Sequence, residues 1–199
     1  MKIINSQLIA HLLMITTNST EKIQELRELG IDELNKKSAP NKWSILECIE
    51  HLNLYGDFYL PAIESAIRSQ KATSNPEIFK SGIIGNYFVN LVKTKPGRVK
   101  KMSTTKEMNP LGRPLTLTTI DRFLMQQAHL KSLLTQAGQV DITKTKTPIS
   151  ITRFIKLRLG ETLRFTVHHI ERHVAQVENT RPQMATTIPI SNNKDQIVE

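Results

Sequence analysis

The chain has a single cysteine, Cys48, in 199 residues, so no disulfide can form within it. A lone thiol suits a reducing compartment. Aromatic residues make up only 5%, which predicts an aliphatic core and speaks against base stacking on single-stranded nucleic acid. No run approaches the ~18–20 apolar residues that a membrane span requires. The segment from Lys2 to Met14 is broken by polar residues at helical spacing, unlike the apolar stretch of a secretory signal. Convincing strand alternation, internal repeats and a helix-turn-helix signature are also lacking. So is any Ser-His-Asp or Cys-His arrangement that would supply a protein nucleophile. These absences predict a soluble, cytoplasmic protein that spans no membrane and has no nucleic-acid partner.

What is present begins with charge. Lysine and arginine number 27 against 18 aspartate and glutamate, a formal net charge of +9. The excess is uneven. Glu21, Glu25, Glu28, Asp32 and Glu33 fall in the first third, whereas Lys93, Lys95, Arg98, Lys100, Lys101 and Lys106 come with no acid among them. Lys144, Lys146, Arg153, Lys156, Arg158 and Arg164 form a second group relieved only by Glu161. Such asymmetry can attract polyanions or small carboxylate and phosphate substrates. A solvated basic face is the simpler account.

Apolar spacing predicts four long helices. The first is capped by Asn5 or Ser6 and ends at Gly30, with a bend allowed in the polar stretch Thr16 to Thr20. The second is capped by Ser44, with Glu47 completing a capping box. Its apolar positions run from Ile45 to Ile67 through Pro61, which predicts a kink rather than an end. A short accessory helix spans Ile78 to Val92, and Lys93 to Pro114 is a long loop. The third long helix runs from Leu117 to Ala137, capped by Thr118 or Thr119 and stopped by Gly138. The fourth starts at Ile151 or Glu161 and ends at Asn179, with Pro182 barring continuation. This pattern predicts an all-α four-helix bundle with a short accessory helix between the second and third helices. It forms one domain over residues 1–181, and residues 182–199 are a polar tail on which no structure is predicted.

Chemistry concentrates in histidine. His169 and His173 lie four residues apart in Phe165-Thr-Val-His-His-Ile-Glu-Arg-His173, so on a helix they point the same way one turn apart. His51 sits in an equally helical run, Trp43-Ser-Ile-Leu-Glu-Cys-Ile-Glu-His51. Helices packed side by side could offer these three imidazoles to one metal ion, with positions left open for water or substrate. The i,i+4 pair alone is a short motif that also arises by chance. His11 and His129 read as lone helical histidines. His168 points about 100° away from His169 and reads as an outer or exposed group.

Neighbouring residues carry candidate roles. Glu47 reads as a cap, with orientation of His51 as the alternative. Cys48 reads as a buried inert thiol, with approach to the metal as the alternative. Tyr55, one turn after His51, can line the pocket or pack in the core. Arg172 can clamp an anionic substrate or pair with a carboxylate. Gln176, one turn beyond His173, reads as a hydrogen-bonding group of the site wall. Trp43 reads as packing at a helix entry.

Pro40, Trp43-Ser44, Glu47 and His51-Leu52, followed by His169-x-x-Arg172-His173-x-x-Gln176, resemble the DinB/YfiT-like superfamily over most of the chain, from the first helix to about Asn179. The resemblance implies a bundle of up-down-down-up order, often a homodimer, with His51, His169 and His173 binding a divalent metal, zinc or nickel. It also implies metal-dependent chemistry on a small molecule: hydrolysis, or transfer using a low-molecular-weight thiol. The basic stretch Lys93 to Lys106 is not explained by it. The competing reading is a non-catalytic bundle that binds metal or a polyanion such as nucleic acid.

Overall fold

The computed structural model describes residues 1–70, 77–93, 104–150 and 152–180. The fold is mostly helical. Its helices are α1 (Asn5–Gln24), α2 (Ile31–Asn35), α3 (Ile45–Arg68), α4 (Ile83–Val92), α5 (Thr118–Ala137) and α6 (Leu159–Thr180). Both α1 and α3 pack against α5 and α6, and α4 lies on α6. Leu12, Ile23, Leu46, Ile49, Leu130 and Leu163 are fully buried or nearly so in the shared core. Each such side chain stabilises the fold by about 1.5–3 kcal/mol relative to exposure. The core is aliphatic apart from a few rings, of which Tyr59, Phe79 and Phe123 are the largest fully buried.

The strongest local signal is realised at α3. Glu47 N–H donates to Ser44 Oγ at 3.1 Å and Ser44 N–H to Glu47 Oε2 at 2.9 Å, closing the capping box. The helix then continues through Pro61 to Arg68. At α1 the polar stretch does not interrupt the helix; Thr16 and Thr20 each donate a hydroxyl to the carbonyl four residues back. A 3-10 turn, Glu25–Glu28, follows, and Gly30 is extended at the start of α2.

Several boundaries differ from those the sequence predicts. Among the described residues there are two antiparallel ribbons. β1 (Lys2–Ile4) pairs with β2 (Ile78–Lys80), and β3 (Lys146–Ile149) with β4 (Thr152–Arg158). The first is three residues long, too short for alternation to stand out from a helical period. Its pairing continues as Asn5 N–H donates to Glu77 O at 2.8 Å. Ile4, with no side-chain cap, therefore precedes α1, and neither Asn5 nor Ser6 caps it. The segment from Ile78 to Val92 is strand, then helix, divided at the extended Gly82. Leu117, not Thr118 or Thr119, occupies the cap of α5. Because β4 reaches Arg158, α6 starts at Leu159, two residues before the Glu161 alternative and well after Ile151.

The second basic group is also divided. Lys144, Lys146 and Lys156 are exposed, but Arg164 is buried and bonds Ser81 Oγ and Asn86 Oδ1, tying α6 to α4. Most of the first group, residues 94–103, lies outside the described residues, as does the predicted tail. Among the described residues no helix is long and apolar enough to cross a membrane.

Gly160, in the first turn of α6, gives the Phe79 ring its place. A Cβ there would stand 2.5 Å from Phe79 Cε2, and Phe79 is fully buried. Gly160→Ala should destabilise the protein by about 1–3 kcal/mol, the usual result of overpacking. Urea unfolding should show a lower midpoint with an unchanged slope.

Candidate metal centre

Two helices position the three histidines. His51 lies two turns into α3, whose start is fixed by the capping box, and His169 and His173 stack on the facing side of α6. Their available ligand nitrogens all lie within 4.8 Å of one another. Ring centroids are 5.2 Å apart for His51 and His169, 4.7 Å for His51 and His173, and 4.6 Å for the pair on α6. All three are buried, with exposures of 2%, 6% and 9% in chain order.

Burial sets their charge. It lowers the His51 pKa to about 4, although the Met108 carbonyl partly favours the proton. His173 is lowered to about 3, by burial and then by the nearby His51 and Arg172 charges. Burial pushes His169 well below the ordinary value, and His173, His51 and Arg172 add to the effect. Near neutral pH the three rings are therefore uncharged, each with a lone pair to give.

Hydrogen bonds select which nitrogen gives it. His51 Nδ1–H donates to Met108 O at 2.6 Å, and His173 Nδ1–H to Gln176 Oε1 at 3.1 Å. In both rings Nε2 carries the lone pair. The donor set consists of three neutral imidazole nitrogens, which fits a borderline divalent ion such as zinc or nickel. The outer hydrogen bonds on two of them are the kind that hold ligating histidines in register.

The predicted neighbours take definite places. Glu47 serves the helix start and a loop: it accepts from Ser44 N–H, from Gly112 N–H at 2.6 Å and from Lys37 Nζ at 2.6 Å. Met108, not Glu47, takes the His51 hydrogen bond. Burial would raise the Glu47 pKa, but Lys37 and the two backbone N–H groups hold it below the ordinary value. Cys48 Sγ lies 3.6 Å from both His173 Nδ1 and His173 O. Burial pushes this thiol up to about 12, so it is neither thiolate nor nucleophile. The Tyr55 ring centroid is 4.3 Å from that of His169 and 4.8 Å from that of His51, making it part of the site wall. Arg172 is buried, and burial lowers its pKa. His168 is buried too, against the exposed alternative read from sequence; its Nδ1 meets Glu171 Oε2 at 2.9 Å, away from the three.

Other parts of the site were not marked as such by the sequence, in which Trp43 reads only as packing at a helix entry. The Trp43 ring centroid lies 4.6 Å from that of His51, the two rings tilted by 41°, and Trp43 donates Nε1–H to Asn109 Oδ1 at 3.0 Å. Phe165 lies parallel to His169 at 5.7 Å. Met108 contributes a backbone carbonyl, which any residue type could supply.

The buried rings impose a pH dependence on the metal-free protein. The unfolded chain takes up protons as pH falls through about 6.5, while the folded histidines refuse them until about 4 for His51 and about 3 for His173. Folding stability should therefore decline as pH falls below 6.5. The depressed carboxylates Glu47 and Glu171 add their loss only below their ordinary value of 4.5. Urea midpoints measured between pH 7.5 and 4.5 isolate the histidine contribution; a flat profile there would contradict it.

The family model described as the DinB superfamily matches residues 16–177, a span that contains all three histidines. No curated protein and no solved structure matches the chain.

Proposed function

The chain belongs to the DinB superfamily, and on that premise we propose that it is a metal-dependent enzyme acting on a small molecule. His51, His169 and His173 hold a divalent ion, zinc or nickel, and the four long helices form a bundle of up-down-down-up order. The observation that carries this reading is the convergence of three desolvated, neutral imidazoles from two helices. Bound there, the ion would lower the pKa of a water or of a low-molecular-weight thiol, or polarise a carbonyl.

The chain's own residues do the rest. Met108 O and Gln176 Oε1 keep His51 and His173 in the Nε2-donating tautomer. Trp43 and Tyr55 give the site aromatic walls that keep it dry. Arg172 places a positive charge near His169 and His173, which favours an anionic substrate or a thiolate. With Cys48 held as a neutral thiol, the attacking atom comes from solvent or from a thiol co-substrate. The products are those of hydrolysis or S-transfer. The same reading assigns the protein to the cytoplasm as a homodimer.

Metal content of tag-free protein, measured by inductively coupled plasma mass spectrometry, tests the proposal. Near one zinc or nickel per chain, followed by turnover in thiol-transfer or hydrolase screens that chelator abolishes, is the expected result. Failure to take up either ion would sink it and would favour a bundle that engages polyanions through its basic segments.

A further inference from the structure

His51 and His173 each place an outer nitrogen on a protein acceptor. Among the described residues none gives the His169 ring a hydrogen bond: its ring contacts are the parallel Phe165, the tilted Tyr55 and the other two histidines. A cavity of about 10 Å³ lies beside it between α3, α5 and α6, bordered by His169, Thr166, Gln127 and Tyr55. Two of the residues that border it carry polar atoms buried without a partner, Thr166 Oγ1 on α6 and Gln127 Oε1 on α5. Their residues are 5% and 3% exposed.

An unpartnered buried polar group costs about 1–3 kcal/mol, and native folds keep few of them. Two such groups from two helices, on residues that border one small cavity beside the His169 ring, call for a shared partner. The space suits one water, which needs ~10–15 Å³ and two to four polar neighbours. A metal cation fits the neighbours poorly, because an imidazole N–H would point at it.

We propose that this cavity is a binding site for a single structural water. The water accepts the outer N–H of His169, donates to Gln127 Oε1 and exchanges a hydrogen bond with Thr166 Oγ1. All three candidate ligands then have an outer hydrogen bond, two from protein and one through water. Thr166 and Gln127 become positioning residues that act on the site through His169. Their effect on metal affinity rests on the three-histidine reading; the water itself does not.

High-resolution crystallography of the metal-free protein, with zinc affinity by chelator competition, tests this. The wild-type map should show one density peak within hydrogen-bonding distance of the His169 ring, Gln127 Oε1 and Thr166 Oγ1. Thr166→Val, which keeps shape and removes the hydroxyl, should weaken zinc binding by about 10-fold or more. Thr166→Ser should retain wild-type affinity, and Gln127→Met should repeat the loss from the opposite helix. An empty cavity in the wild-type map overturns the proposal, as does unchanged zinc affinity in both folded Thr166→Val and Gln127→Met. Should wild-type protein take up no zinc, the metal reading fails and the density alone decides for or against the water.

Discussion

His51→Ala, His169→Ala and His173→Ala, made one at a time, should each abolish stoichiometric zinc or nickel binding while leaving the helical fold in place. Three nitrogen donors from two rigid helices bind together, so removing any one leaves a two-ligand fragment open to water. The loss should exceed the ~10–100-fold typical of removing a residue that only orients a ligand. Losses should also be unequal in character. His169→Ala and His173→Ala leave ligands split between α3 and α6, whereas His51→Ala leaves an i,i+4 pair on α6, a preformed bidentate site. Residual weak binding is therefore expected in His51→Ala above the other two. Competition with a chromophoric chelator gives the affinities, and circular dichroism of the metal-free variants gives the fold. If these histidines were merely packed core residues, the variants would lose stability and show no change in metal content. That outcome would separate a structural cluster from a binding site.

The parts of this site that sequence could reveal are those with a fixed spacing on one element. A spacing of four residues from His169 to His173 means one turn of helix whatever surrounds them. Ser44 and Glu47 announce a helix start because both halves of the capping box lie within one turn. From that start, the face of His51 follows. The expectation of a long irregular loop between the second and third long helices also agrees with the described part, residues 104–117. What the loop does was not legible. Met108 acts through its carbonyl, Asn109 through an amide that meets Trp43, and Gly112 through an N–H on Glu47. Each partner is more than fifty positions away in the chain, and periodicity says nothing about such pairings. Gly112 alone has a local reason for its identity. Its φ of 80° is left-handed, a conformation that glycine adopts without steric cost. The ribbons escaped for a related reason. Ile3 and Phe79 are cross-strand partners separated by all of α1, α2 and α3, and their three-residue strands carry almost no pattern of their own.

The loop and the helix start meet in one side chain, so Glu47→Ala should damage stability and metal binding together. Its carboxylate is 2% exposed and takes hydrogen bonds from Ser44 N–H, Gly112 N–H and Lys37. Removing it leaves two backbone donors and an ammonium without their acceptor. Unpaired buried donors at about 1–3 kcal/mol each, partly relieved by water at the exposed loop, give an expected loss of about 2–4 kcal/mol. Ser44→Ala separates the contributions. It removes the other half of the capping box at about 1 kcal/mol but leaves Glu47 on Gly112. Met108 lies four residues before Gly112, so freeing Gly112 loosens the carbonyl that orients His51. Glu47→Ala should then weaken zinc binding while Ser44→Ala leaves it intact, although both shorten the same cap. Equal zinc affinities in the two variants would mean that the loop holds Met108 without Glu47, through Trp43 and Asn109. A double-mutant cycle with Asn109→Ala reads that division directly: coupling between the two positions is expected if both pin one segment, and additivity if each acts alone.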